Sequence, residues 1–87
     1  MKIKEGFILR KVGSQYVAAA TGKASESFNG MLRLNESGAF AFRLLQEGIT
    51  EEELVRRIVG EYNVSEEAAR RDAEKFLAAL GEADALE

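Results

Sequence analysis

The sequence contains no cysteine, no histidine, no proline and no tryptophan. Without cysteine there is no disulfide framework, no thiolate nucleophile and no Cys-ligated zinc or iron–sulfur cluster. Without histidine the commonest general base and the commonest metal ligand are also missing. No apolar run approaches the roughly 18–20 residues that a membrane span requires. The N-terminus, Met1-Lys2-Ile3-Lys4-Glu5-Gly6, is charged and is followed by no long hydrophobic stretch, unlike a signal peptide. These features point to a cytoplasmic protein with no membrane partner.

What remains is 87 residues, 46% apolar and 31% charged, which suits one small domain just long enough to fold alone. The net charge of −3 argues against a nucleic-acid partner, since such binding sets many Lys and Arg against phosphates. The charge is unevenly spread. Residues 1–34 carry six Lys/Arg and two Asp/Glu, whereas residues 35–87 carry six Lys/Arg and thirteen Asp/Glu.

The hydrophobic pattern changes near Asn35. Before it, Phe7–Val12 and Gln15–Ala20 are short apolar runs separated by Gly13-Ser14. Glycine at the first of two loop residues suits a type II′ turn, so this stretch is predicted to be a β-hairpin. The alanines at 18–20 weaken the second strand, because alanine is a poor strand former. Thr21 to Ser27 is polar and predicted to be a loop. Phe28, Asn29, Gly30, Met31, Leu32, Arg33 and Leu34 form a third strand, with Phe28, Leu32 and Leu34 on one face and Asn29, Met31 and Arg33 on the other. Gly30 suits a bulge or a close backbone approach.

Beyond Asn35 the period is helical. Asn35 is a good N-cap, Phe40, Ala41, Leu44 and Leu45 form an apolar stripe, and Gly48 is a natural stop. Thr50 with Glu53 makes a capping box before Leu54, Val55, Ile58, Val59 and Tyr62. Ser65, followed by Glu66 and Glu67, begins a third helix whose buried stripe is Ala69, Ala73, Phe76, Leu77 and Leu80, with Gly81 as its end. Helices this short do not stand alone in water, so their stripes must pack on each other and on the sheet. The pattern is that of an α+β domain, a three-stranded antiparallel sheet followed by three helices, with residues 1–87 forming a single unit.

Most chemical motifs fail. Thr21-Gly22-Lys23-Ala24 resembles the end of a phosphate-binding loop, but Val17 and Ala24 stand where that motif needs glycine and Ser/Thr. The acidic clusters Glu51–Glu53 and Glu66–Glu67 fall in first helical turns, where negative charge is stabilising in any case. Two Asn-x-Ser sequons, at Asn35 and Asn63, are better explained by caps and a turn. No catalytic constellation, metal site or cofactor is indicated, and the chain is not expected to be an enzyme. The third strand is more informative. It carries one charge, Arg33, and no proline, so as an edge it is poorly protected against pairing with another chain. Either the N-terminus or a second copy could cover that edge, which leaves a homodimer open.

Several pieces occur together in a telling order: Leu34-Asn35-Glu36-Ser37-Gly38-Ala39, Leu44-Leu45, Gly48-Ile49-Thr50-Glu51-Glu52-Glu53-Leu54, Tyr62-Asn63-Val64, and Asp72 with Phe76-Leu77 and Leu80. From about Phe7 to Leu86 the chain resembles the PqqD family, whose founding member is the peptide chaperone of pyrroloquinoline-quinone biosynthesis. The same module is called the RiPP recognition element, for ribosomally made, post-translationally modified peptides. The resemblance implies a winged-helix-like fold and a non-catalytic role: binding the leader segment of a precursor peptide and presenting it to a modifying enzyme, often a radical-SAM protein. It implies docking of the leader on the third strand, Phe28 to Leu34, beside the third helix. On that helix the motif matches Asp72 and Phe76 directly, and helical spacing adds Arg71, Lys75 and Ala79. Arg33, Arg71 and Lys75 would favour an acidic leader. The competing reading is a winged-helix DNA-binding regulator, for which the third helix is poorly suited: Arg70, Arg71 and Lys75 are set against Glu66, Glu67, Asp72 and Glu74.

Overall fold

The structure is a computed structural model and describes residues 1–22 and 31–87. Phe28, Asn29 and Gly30 of the predicted third strand, and the 23–27 part of the predicted loop, lie outside the described residues. Strands β1 (Phe7–Val12), β2 (Gln15–Ala20) and β3 (Met31–Leu34) precede helices α1 (Glu36–Glu47), α2 (Glu51–Tyr62) and α3 (Glu66–Glu82). Among the described residues no helix is long and apolar enough to cross a membrane.

The hairpin forms as its turn residues dictate. Val12 pairs with Gln15, leaving Gly13-Ser14 as a two-residue loop, and Gly13 takes the positive φ of 65° that only glycine adopts freely. The sheet is antiparallel in the order β1-β2-β3, so β2 is central and β3 is an edge. Phe7, Leu9, Ala18, Leu32 and Leu34 belong to the face that joins the core, while Ile8, Arg10, Val12, Met31 and Arg33 are exposed on the other. The alanines that counted against a strand sit in this central position. Ala18 is fully buried there, and its small side chain lets the helices close on the sheet.

Each helix begins as its sequence predicts. Asn35 Oδ1 accepts the Gly38 N–H at 2.8 Å, Thr50 Oγ1 accepts that of Glu53 at 3.1 Å, and Ser65 Oγ accepts that of Ala68 at 3.1 Å. Only half of the expected capping box forms, because the Glu53 carboxylate points instead to Arg56 at 3.8 Å. The buried stripe of α1 is Ala39, Ala41, Phe42, Leu44 and Leu45, so Phe42, absent from the sequence-derived stripe, is central to it. Its ring meets Phe7 edge-on with centroids 6.4 Å apart, joining α1 to β1. Phe40 is half-buried on the flank and packs edge-on against Tyr62 of α2 at 5.6 Å.

Gly81 does not end α3, contrary to the sequence reading. The helix continues to Glu82, and the reversal falls on Asp84 at φ 57°. The Ala85 N–H returns to the Leu80 carbonyl and that of Asp84 to the Gly81 carbonyl, the double bond pattern that closes a helix around a left-handed residue. An ion pair from Lys4 to Asp84 at 2.9 Å and full burial of Ala85 hold this closure. The reversal carries the C-terminal tail back to the N-terminus, where Ile3 and Leu86 form a bridge and Ile3 is buried. The Ile3 N–H also reaches the Leu45 carbonyl at 2.9 Å. The N-terminal segment is thus committed to the tail and the end of α1, and not to the edge of β3.

Candidate functional site

The short strand β3 alternates sharply. Met31 and Arg33 are exposed, and Leu32 and Leu34 turn inward and are half-buried. Its inner neighbour is β2, through the pairs Tyr16–Leu34, Val17–Arg33, Ala18–Leu32 and Ala19–Met31. Among the described residues no strand lies on its other side. In an antiparallel strand every second residue turns its N–H and C=O away from a given neighbour, so this outer edge offers donors and acceptors in a regular row.

Asn35 follows β3 directly and caps α1, which places the first turn of α1 at the end of the edge strand. Gly38 lies in that turn. A Cβ there would stand 3.2 Å from Asn35 Oδ1 and 3.4 Å from Leu34 Cβ, so the absent side chain allows the helix start to sit tightly on β3. Beside this corner opens a groove of about 320 Å³. Ala41, Ile58 and Ala73 are its buried floor. Asp72, Lys75 and Phe76 of α3 form one wall, and Asn35, Ser37 and Gly38 form the other side.

Of the helix residues expected at the site, Asp72, Lys75 and Phe76 line this groove, and Arg71 and Ala79 do not. The reason for Arg71 is angular: at 100° per residue it precedes the Asp72–Phe76 face, and its guanidinium lies 3.6 Å from Glu67 one turn back. Ala79 is exposed a turn beyond Lys75 and Phe76. On the strand side the described residues run from Met31 to Leu34. Asn35, Ser37, Gly38, Ala41, Ile58 and Ala73 were not anticipated in this role. The segment from Asn35 to Gly38 was visible as a cap, and only its position against α3 makes it part of a groove.

The strong electrostatic ties lie elsewhere. Arg70, on the other flank of α3, donates to both Glu52 carboxylate oxygens, at 2.9 and 3.1 Å, and to Glu66 at 3.2 Å. This holds the Glu52 carboxyl below the usual carboxylate range and pushes the Arg70 guanidinium up. Burial, then Glu36 and Glu61, pushes the Tyr62 phenol up, and its hydroxyl donates to the Glu36 carbonyl at 3.4 Å. By contrast, no described carboxylate lies within ion-pair distance of Arg33 or Lys75. Among the described residues no cluster of acidic side chains could hold a metal ion. The arrangement pairs an open strand edge with a groove of apolar floor and largely polar walls, a combination suited to gripping an extended chain.

No curated protein matches the chain. Among solved structures it is similar to a chain described as "TbiB1 in Complex with the TbiA(beta) Leader Peptide", with 29% identity and a TM-score of 0.78. The likeness covers 100% of this chain and 95% of that one, and it extends to the three strands and three helices described above. Residues 8–86 match the family model described as coenzyme PQQ synthesis protein D, and the chain belongs to the PqqD family.

Proposed function

We propose that this domain binds the leader segment of a ribosomally made precursor peptide as a fourth strand on β3. The leader's inward side chains enter the groove beside α3, and the domain presents the peptide to a modifying enzyme of the radical-SAM type without performing chemistry itself. The observation that carries this is the pairing of an edge strand with an apolar-floored groove on one flank of a domain of the PqqD family. The complex of TbiB1 with a leader peptide supports it. The site residues are Met31, Leu32, Arg33 and Leu34 on the strand, with Asp72, Lys75 and Phe76 on the helix. Main-chain pairing supplies affinity with little sequence demand, and a disordered leader pays its ordering entropy on binding, so moderate affinity is expected. Arg33 and Lys75 favour a leader bearing carboxylates. A DNA-binding role is disfavoured by α3 itself, where Arg70 and Arg71 are engaged by Glu52, Glu66 and Glu67.

The test is an amide chemical-shift titration with synthetic leader segments of precursor peptides encoded beside this gene. Binding should move the amides of Met31 to Leu34 and the Asp72–Phe76 turn first. Shifts confined to the α2–α3 flank around Glu52 and Arg70 would overturn the reading.

A further inference from the structure

The register of the sheet carries a further consequence, which rests on the strand-addition reading above. On the face turned away from the helices, side chains align in rows across the strands. One row is Ile8–Ala19–Met31 and the next is Arg10–Val17–Arg33. Among the described residues each row ends at β3. A fourth strand would extend each by one residue, so the rows state what chemistry the newcomer must bring.

The Met31 row is apolar throughout. Met31 is 68% exposed, the most exposed large hydrophobic among the described residues, and Ile8 is 37% exposed two strands away. The Arg33 row holds two guanidiniums and no acid. Strand spacing puts Arg10 and Arg33 roughly 10 Å apart across Val17. No described carboxylate pairs with either arginine. A residue directly opposite on an added strand has its Cβ about 5 Å away, close enough to pair with the guanidinium or to cover the methionine.

We infer that Arg33 and Met31 determine the leader's register and composition on its outward face: the bound segment carries Asp or Glu opposite Arg33 and an apolar residue opposite Met31. The rest of the sheet is antiparallel, and antiparallel pairing is the more stable per residue. The leader therefore meets Arg33 first and Met31 two residues later, which gives the order acidic–x–apolar from N- to C-terminus. The intervening residue faces inward opposite Leu32, toward the groove side. On this outward face the acidic preference is thus a positional one, set by Arg33 and separate from any contribution of Lys75 on the groove side. The groove itself carries Asp72 as well as Lys75 and is of mixed sign.

The probe is a set of synthetic β-prone host peptides of about ten residues, long enough to cover a typical strand. Four versions place Glu-Thr-Leu, Lys-Thr-Leu, Glu-Thr-Ser or Leu-Thr-Glu at the centre. Affinity is read by fluorescence anisotropy at low salt, with amide shifts recorded in parallel. With the native protein, Glu-Thr-Leu should bind tightest, and each single replacement should weaken binding by roughly two- to fivefold, the range for one cross-strand pair. Arg33→Glu should invert the Glu/Lys preference. Met31→Ser should abolish the difference between Leu and Ser. Arg33→Gln guards against a folding defect and should remove the preference without inverting it.

Two failures are distinguishable. If the peptides shift Met31–Leu34 but bind with equal affinity, or if Leu-Thr-Glu binds as well as Glu-Thr-Leu, the register inference is overturned and strand addition stands. If no peptide moves those amides, strand addition itself is overturned.

Discussion

Truncating Phe42 to alanine tests whether the helix layer is joined to the sheet as described. The side chain is fully buried, is the largest such side chain among the described residues, and meets Phe7 edge-on at 6.4 Å. Removing a buried phenylalanine costs about 3–5 kcal/mol, from lost transfer energy and from the cavity left behind. A domain of this length has a total stability of about 4–13 kcal/mol, so the change consumes much of it. Urea denaturation should show the midpoint falling with little change in slope, and the melting temperature should drop by at least about 12 °C. Phe42→Leu keeps more of the volume and should lose only about 1–2 kcal/mol. Phe7→Ala, combined with Phe42→Ala, closes a double-mutant cycle. The aromatic pair predicts a coupling of about 0.5–1.5 kcal/mol, so the double variant should be less damaged than the two singles summed. A loss below about 1 kcal/mol for Phe42→Ala, or strict additivity with Phe7→Ala, would refute the packing argument. The edge of β3 depends on this junction, because β3 is held to the core through the sheet and through α1.

Two further outcomes follow from local geometry. Asn35→Ala removes the oxygen that accepts the Gly38 N–H and should cost about 1 kcal/mol in urea denaturation, whereas an exposed Glu36→Ala should cost little beyond a fraction of that. Arg70 lowers the Glu52 carboxyl below its reference value of 4.5. A carboxylate with a depressed folded pKa stabilises the fold above its unfolded value and loses that contribution as pH falls through the folded one. Thermal melts from about pH 5 downward should therefore show the native protein losing stability more steeply than Glu52→Gln, with the difference shrinking at high salt. Parallel curves would show that the ion pair does not hold α2 to α3 in solution.

The chain itself determined the order of the elements and the start of each helix. Gly13 permits the hairpin turn, Asn35, Thr50 and Ser65 cap the helices, and alternation along Met31–Leu34 separates an exposed side from a core side. These are local effects, set by φ/ψ preference and by hydrogen bonds spanning three or four residues, and such effects are written in consecutive positions. Locality also explains the misreadings. Gly81 looks like a helix end, but Asp84 takes the left-handed position because Lys4 and the buried Ala85, far apart in sequence, stabilise the turn there. Phe42 is central to α1 because Phe7 stands opposite, a fact invisible in the helix alone.

Only the tertiary structure decided that β3 is an edge with the N-terminus directed elsewhere, and that Asn35, Ser37, Gly38, Ile58 and Ala73 share a groove with Phe76. It likewise decided which cations of the candidate site are engaged and which are not: Arg71 faces Glu67, whereas Arg33 ends a row shared with Arg10 on the outer face of the sheet. Such facts depend on which faces meet, and that is settled by burying several apolar stripes at once. No single stretch of sequence holds that information, because each stripe is compatible with more than one partner until the others are in place.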